Sequence, residues 1–263
     1  MDLQLTGKLA LITGSTAGIG YAIAVSLARE GARVIVCGRT QASVDEALAR
    51  LHTDTGAQGQ GFAGDLGQAK ACAQLATRCA DVDILVNNLG IFETKPFEDI
   101  PDADWLRFFE VNVLAGVRLA RACLPAMRRR DWGRIIFISS ESALNIPAEM
   151  VHYGMTKTAQ LAVSRGLAEA VAGTGITVNS VLPGPTRSRG VVEFLERMAA
   201  QAGQPVADIE REFFTRARPS SLIQRFAEPA EIAAMVTYIA SPLACATTGA
   251  ALRVDGGVVR SPF

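Results

Sequence analysis

Tyr153 and Lys157 stand four residues apart, and Ser140 lies thirteen residues before the tyrosine. Positions i and i+4 of a helix share a face, so the phenol and the ammonium can point the same way. A phenol with a free pKa of about 10 is a poor acid or base at neutral pH. An ammonium about 4 Å away, at an effective dielectric of about 20, stabilises phenolate by roughly 4 kcal/mol, or about three pKa units. The spacing therefore predicts a tyrosine lowered toward the range where proton transfer works best. Ser140 supplies a hydroxyl that can bind the same oxygen. Taken alone, the spacing also fits a solvated helix face, so the rest of the chain has to decide.

A second pattern lies near the amino terminus. Residues 8–13 read as a short buried strand that runs into Gly14-Ser15-Thr16-Ala17-Gly18-Ile19-Gly20. Ile19, Ala22, Ile23, Ser26 and Leu27 then follow helical spacing on a small or apolar face, with Gly31 as the stop. Strand, glycine-rich turn and helix start direct backbone N–H groups and the helix dipole at an anion. The spacing is Gly-x-x-x-Gly-x-Gly rather than Gly-x-Gly-x-x-Gly.

In chain order, Thr13-Gly14-x-x-x-Gly18-Ile19-Gly20, Asn87-Asn88-Leu89-Gly90, Asn112, Ser140, Tyr153-x-x-x-Lys157 and Pro183-Gly184 resemble the short-chain dehydrogenase/reductase family. The resemblance runs from about Leu5 to Gly257 and is nearest to 3-oxoacyl-thioester reductases and related alcohol dehydrogenases. It implies hydride transfer between a nicotinamide and a carbonyl or secondary alcohol. Ser140 would bind the substrate oxygen and Tyr153 would donate or accept the proton. Lys157 would lower the tyrosine and hold the nicotinamide ribose. Asn112 would hold a water in a proton relay, or kink its helix by bonding to backbone, or both. The family pattern also places Gly14, Ser15, Thr16, Gly18, Ile19 and Gly20 on the cofactor phosphates. Asp65 and Leu66 fall beside the adenine, and Asn88 and Gly90 beside the adenosine ribose. Pro183, Gly184, Thr186 and Ser188 fall around the nicotinamide. Leu89 stands where the family usually has alanine.

The end of the second strand bears on cofactor choice. An NAD site typically places Asp or Glu there for the ribose 2′-hydroxyl. This chain has Gly38 followed by Arg39. Glycine removes the repulsive carboxylate, and arginine can pair with a 2′-phosphate. NADP(H) is therefore expected over NAD(H), although Ala17 occupies the loop position that often carries a second basic residue.

The elements that must position these groups alternate. Strands are predicted at residues 9–13, 33–37, 60–63, 84–87, 134–139, 177–182 and 251–254. Helical patterns fall at 19–30, 42–51, 68–79, 101–129, 150–172 and 229–240. This alternation predicts an α/β fold, a single doubly wound Rossmann-like domain over residues 1–263 with a parallel sheet of about seven strands. Residues 186–228 break the rhythm and read as a helical substrate lid, with helices near 191–201 and 208–217.

With 49% hydrophobic residues and 20% charged, the chain can bury a sizeable core. Zero formal net charge gives no reason to expect nucleic acid binding. No apolar run is long enough for a membrane span, and the first residues lack a leader pattern, so a cytoplasmic location is expected. The five cysteines form no Cys-x-x-Cys pair and the two histidines are isolated, so no metal is expected.

Substrate readings stay open. Leu144, Ile146, Val191, Val192, Phe194 and Leu195 favour an apolar substrate body or ordinary packing under the lid, with Ser142 and Asn145 beside them. Seven arginines between residues 187 and 225 fit either the phosphate of an acyl thioester or a solvated, ion-paired face. A 3-oxoacyl-thioester or general ketone leads, ahead of an alcohol, polyol or steroid-like substrate. A dinucleotide-sensing scaffold without turnover is the rival of another class. The resemblance implies a homotetramer, or a homodimer, through helices carrying Ala115, Gly116, Ala159, Ala162 and Gly166.

Overall fold

The structure is a computed structural model that describes residues 1–262, the side chains of Arg189 and Phe194 excepted. Seven strands form in the predicted places: β1 (Leu9–Ile12), β2 (Arg33–Gly38), β3 (Gln60–Ala63), β4 (Ile84–Asn87), β5 (Gly133–Ile138), β6 (Ile176–Pro183) and β7 (Ala251–Val254). They make one parallel sheet in the order β3-β2-β1-β4-β5-β6-β7. The inner strands read as apolar runs because helices cover both faces. Side chains alternate between the two faces along each strand. Ala10, Ile12, Val34, Val36, Ile84 and Val86 join one core with α1 (Gly18–Arg29), α2 (Gln41–Thr55) and α9 (Pro229–Ala240). Leu9, Leu11, Ile35, Cys37 and Leu85 join the other. That second core is completed by α3 (Ala69–Ala76), α5 (Ala115–Arg130) and α6 (Val151–Ala170).

The strand order reverses between β1 and β4, and in such sheets the crevice beyond the carboxyl ends at that point receives ligands. Thr13 and Asn88 stitch it together. Thr13 Oγ1 accepts from the Asn88 and Leu89 amides, both at 2.9 Å, and Asn88 Nδ2 donates to the Thr13 and Gly14 carbonyls at 3.0 and 2.9 Å.

One helical expectation needs correction. The helix expected over 68–79 ends at Ala76, with a separate 3₁₀ turn at Cys79–Asp81. The helix expected over 101–129 runs without a gap as α4 (Asp102–Phe109), a π-turn at Glu110–Leu114 and α5. No proline or glycine marks that wider turn. Its cause is tertiary, because Asn112 within the turn bonds to distant residues.

The lid contains α7 (Arg189–Ala202), α8 (Val206–Glu212) and a second π-turn at Phe213–Ala217. Its two ends meet, since Arg187 N donates to the Ala227 carbonyl at 2.8 Å and Ala227 N to the Pro185 carbonyl at 2.9 Å. Leu195, Ala199, Ile209, Phe214 and Phe226 give it a small core of its own, with Val191 and Phe213 packed against it. Leu195 and Val191 thus pack within the lid, while the expectation for the Phe194 side chain lies outside the described residues. Among the described residues, no helix is long and apolar enough to cross a membrane.

Candidate active site

The turn from β1 to α1 depends on its glycines. Gly14 and Gly18 have φ of +60° and +56°, a region that L side chains rarely adopt. A Cβ on Gly20 would stand 2.4 Å from the Gly14 carbonyl oxygen. The N-cap residue Ala17 offers no side-chain acceptor, and the first turn of α1 holds no acidic residue. The first amides of α1 are thus left for an external anion, whereas Thr40 caps α2 and Glu228 with Glu231 forms a capping box on α9. The side chain of Ser15 is structural. Its hydroxyl is wholly buried, donates to the Ile12 carbonyl at 2.7 Å and accepts from the Cys37 amide at 2.9 Å, tying β1 to β2.

Beyond that loop lies a cavity of about 190 Å³. Ile19, Asn88, Gly90, Ser140, Tyr153, Lys157, Pro183, Gly184, Thr186 and Ser188 all line it, as the sequence expects. Pro183 and Gly184 end β6, where a Cβ on Gly184 would stand 2.5 Å from the Asp255 carbonyl oxygen. Thr186 Oγ1 is held by the Gly184 carbonyl at 2.9 Å, and the Ser188 hydroxyl caps α7 through the Val191 amide. Gly14, Ser15, Thr16, Gly18, Arg39, Asp65 and Leu66 do not line this cavity. Thr16 packs at the end of β2, its methyl 2.5 Å from where a Gly38 Cβ would be. Arg39 is exposed there. Asp65 follows β3 and accepts from the Gly67 amide, while Leu66 is buried in the second core. Leu89, in the family's alanine position, packs on that same core.

Ser140 ends the chain after β5, and its Oγ accepts from the Ser142 amide at 3.1 Å. It lies close enough to the Tyr153 phenol to favour its ionised form. Tyr153 and Lys157 lie in the first turns of α6, with Lys157 Nζ 5.6 Å from the tyrosine ring centre. The electrostatics reverse the sequence expectation. Burial pushes the Tyr153 phenol up to about 12; the Ser140 hydroxyl opposes this and the Glu141 carboxylate adds to it. Burial also lowers Lys157 to about 7, so the lysine's own charge is weakened and cannot outweigh desolvation of the phenolate.

The Asn112 side chain bonds to backbone within a distorted turn of its helix, one of the two parts expected of it. Its Oδ1 accepts from the Ile91 amide at 2.8 Å. Its Nδ2 donates to the Ile91 carbonyl at 3.0 Å and to Thr156 Oγ1 at 2.9 Å. Both ends of the side chain are held by protein, and this is what draws the π-turn toward α6.

Sequence reasoning missed several neighbours. Phe92 lines the cavity and meets the Tyr153 ring edge-on at 6.4 Å. Glu141, buried beside Ser140, accepts from Arg218 Nε at 3.0 Å and joins the serine to the end of the lid. Gln160 lies between Lys157 and Asn112. The helical spacing of Gln160 with Tyr153 and Lys157 was the available signal for it; the others are contacts between distant parts of the chain. Of the residues expected on the substrate side, Ser142 is buried, whereas Leu144, Asn145 and Ile146 are exposed.

A crevice at the reversal of a parallel sheet, with a bare glycine-rich helix start on one side and a half-buried tyrosine and buried lysine on the other, suits a nicotinamide dinucleotide and marks the class of dinucleotide-dependent oxidoreductases. The family model described as short chain dehydrogenase matches residues 8–199. The chain belongs to the short-chain dehydrogenase/reductase family and is an NAD(P)-dependent oxidoreductase. It is 50% identical to an uncharacterized oxidoreductase, YvaG, of Bacillus subtilis, over 100% of both chains. It is 30% identical to the 3-oxoacyl-[acyl-carrier-protein] reductase FabG of Aquifex aeolicus, over 98% of this chain and all of the relative. The crystal structure of L-sorbose reductase from Gluconobacter frateurii, complexed with NADPH and L-sorbose, superposes with a TM-score of 0.94 at 30% identity, covering 99% of this chain and 100% of that one.

Proposed function

We propose that this chain reduces a small free ketone with NADPH, with Tyr153 as proton donor. The observation that carries the reading is the shared cavity of Ser140, Tyr153 and Lys157 beside the glycine-rich loop. When bound, the nicotinamide supplies the hydride. Ser140 orients the substrate oxygen, and the neutral phenol of Tyr153, held protonated by burial, gives that oxygen its proton. Lys157 holds the nicotinamide ribose. The backbone of residues 14–20 receives the phosphates, with Asp65 and Leu66 beside the adenine, Asn88 and Gly90 beside its ribose, and Thr186 and Ser188 toward the nicotinamide. A protonated tyrosine is the donor form that carbonyl reduction needs.

Two cations support NADP(H). Arg39 has no hydrogen bond or ion pair among the described residues. Arg50 reaches the same loop, its Nη2 2.6 Å from the Thr16 carbonyl oxygen and its guanidinium 4.5 Å from the Tyr21 ring centre, with no carboxylate in ion-pair reach among the described residues. It supplies the charge that Ala17 does not. Arg39→Ala should weaken NADPH far more than NADH in fluorescence titrations, and equal losses would refute the preference.

The lid arginines argue against the acyl-thioester reading. Arg187, Arg211, Arg216, Arg218 and Arg225 are each paired with a carboxylate of this chain. A ketose or polyol is the second reading, favoured by the likeness to L-sorbose reductase. Residues 1–263 would act as one unit with 186–228 as the lid, in a homotetramer or homodimer in the cytoplasm. The test is oxidation of NADPH and NADH against acetoacetyl thioesters, simple and cyclic ketones, diketones and L-sorbose. Turnover confined to thioesters would overturn the free-ketone reading, and turnover confined to the ketose would replace it with the second.

A further inference from the structure

We infer that Gln160 is a positioning residue that holds Lys157 in its working place by bridging it to the backbone of Asn112. Its Oε1 accepts from Lys157 Nζ at 3.3 Å, and its Nε2 donates to the Asn112 carbonyl at 2.6 Å. Gln160 is 1% exposed, so neither end of its amide has ready exchange with solvent. Lys157 Nζ also donates to the Ile138 carbonyl at 2.9 Å. In its protonated form Lys157 has three N–H groups, so two are committed inside the protein and one is left for the cavity that Lys157 lines. The two carbonyl oxygens thus fix where the third N–H points.

The bridge also affects the charge of Lys157. Apart from Tyr153, no charged or titratable side chain among the described residues acts on it, and burial is the one cause that displaces it. Glu141, behind Ser140, acts on Tyr153 instead. The Gln160 and Ile138 carbonyl dipoles are the groups on hand to favour the ammonium.

The inference rests on Lys157 contacting the cofactor, and the test separates the two claims. NADPH affinity would be measured by fluorescence from pH 6 to 10 on the full chain and on Gln160→Met, Gln160→Ala and Lys157→Met, with the melting temperature of each. Met keeps the volume of Gln and removes both bonds. Ala removes both bonds but leaves space that a water can fill between two polar groups. Gln160→Met should weaken NADPH about tenfold at pH 6, where Lys157 carries its proton, as expected for a lost hydrogen bond to a charged group. The pH above which binding weakens should also move down in that variant. Gln160→Ala should stay within about threefold. A packing role predicts the opposite order, with Met the milder change. Equal pH dependence in Gln160→Met and the unmutated chain, or losses that simply follow melting temperature, would overturn the inference alone. Equal pH dependence in Lys157→Met and the unmutated chain would overturn the cofactor contact beneath it.

Discussion

Burial acts with opposite signs on the two ionisable residues of the cavity, and each sign has a measurable consequence. The Tyr153 phenol is raised to about 12, so it stays protonated through neutral pH. Ketone reduction needs that form and should vary little with pH across the neutral range, whereas alcohol oxidation needs phenolate and should climb as pH rises. Tyr153→Phe keeps the ring against Phe92 and removes only the hydroxyl. It should lower kcat by roughly 10²–10⁴-fold with cofactor affinity nearly unchanged, measured by steady-state kinetics and NADPH titration. Lys157 is lowered to about 7, below the value of about 10.4 that it has in an unfolded chain. Between these values the unfolded state holds the extra proton, so folding stability rises with pH over that interval. In thermal melts without cofactor, the unmutated chain should gain on Lys157→Met as pH rises from 7 to 10. A constant difference would show that Lys157 keeps its charge when buried.

The glycine-rich turn is a device of the whole β1–α1 element rather than of any one side chain. Gly20→Ala places a methyl within 2.4 Å of the Gly14 carbonyl oxygen, a backbone atom that cannot step aside. The turn must open, and NADPH affinity should fall at least tenfold. A binding isotherm that matches the unmutated chain would refute this account of the turn. This element was legible in the sequence, as were the seven strands, because a parallel strand buried on both faces leaves an apolar run bounded by turn residues. The Tyr153–Lys157 pair was legible for a similar reason, since helical spacing brings i and i+4 together. A kink at Asn112 was one reading of the sequence, but the widened turn at Glu110–Leu114 was not legible: its residues look helical, and the bonds from Asn112 to Ile91 and Thr156 are long-range. The Glu141–Arg218 pair joins positions 77 residues apart. The reversed direction of the Tyr153 shift was out of reach too, because spacing gives the distance between charges and not how deeply both are buried.

At the scale of the whole molecule, the small residues expected to serve assembly divide into two groups. Ala115 and Gly116 are buried within this chain, and a Cβ on Gly116 would meet Phe137 at 3.0 Å and Asn87 at 3.2 Å. They close α5 onto the sheet and have nothing to offer a second copy. Ala162 and Gly166 of α6 remain exposed, and a Cβ on Gly166 meets nothing within 4 Å. Glycine inside an exposed helix costs about 1 kcal/mol relative to alanine. In an isolated chain, Gly166→Ala should therefore be stabilising. In an assembly that packs α6 against a second α6, the flat surface at Gly166 permits close approach, and a large charged side chain there would hold the copies apart. If the chain assembles through this face, Gly166→Arg should shift light scattering at micromolar concentration toward a smaller species and lower the melting temperature. Gly166→Ala should then lose its expected gain. If the face is free, Gly166→Arg should leave the scattering mass unchanged and Gly166→Ala should raise the melting temperature. That pair of results would move the search for an interface away from α6.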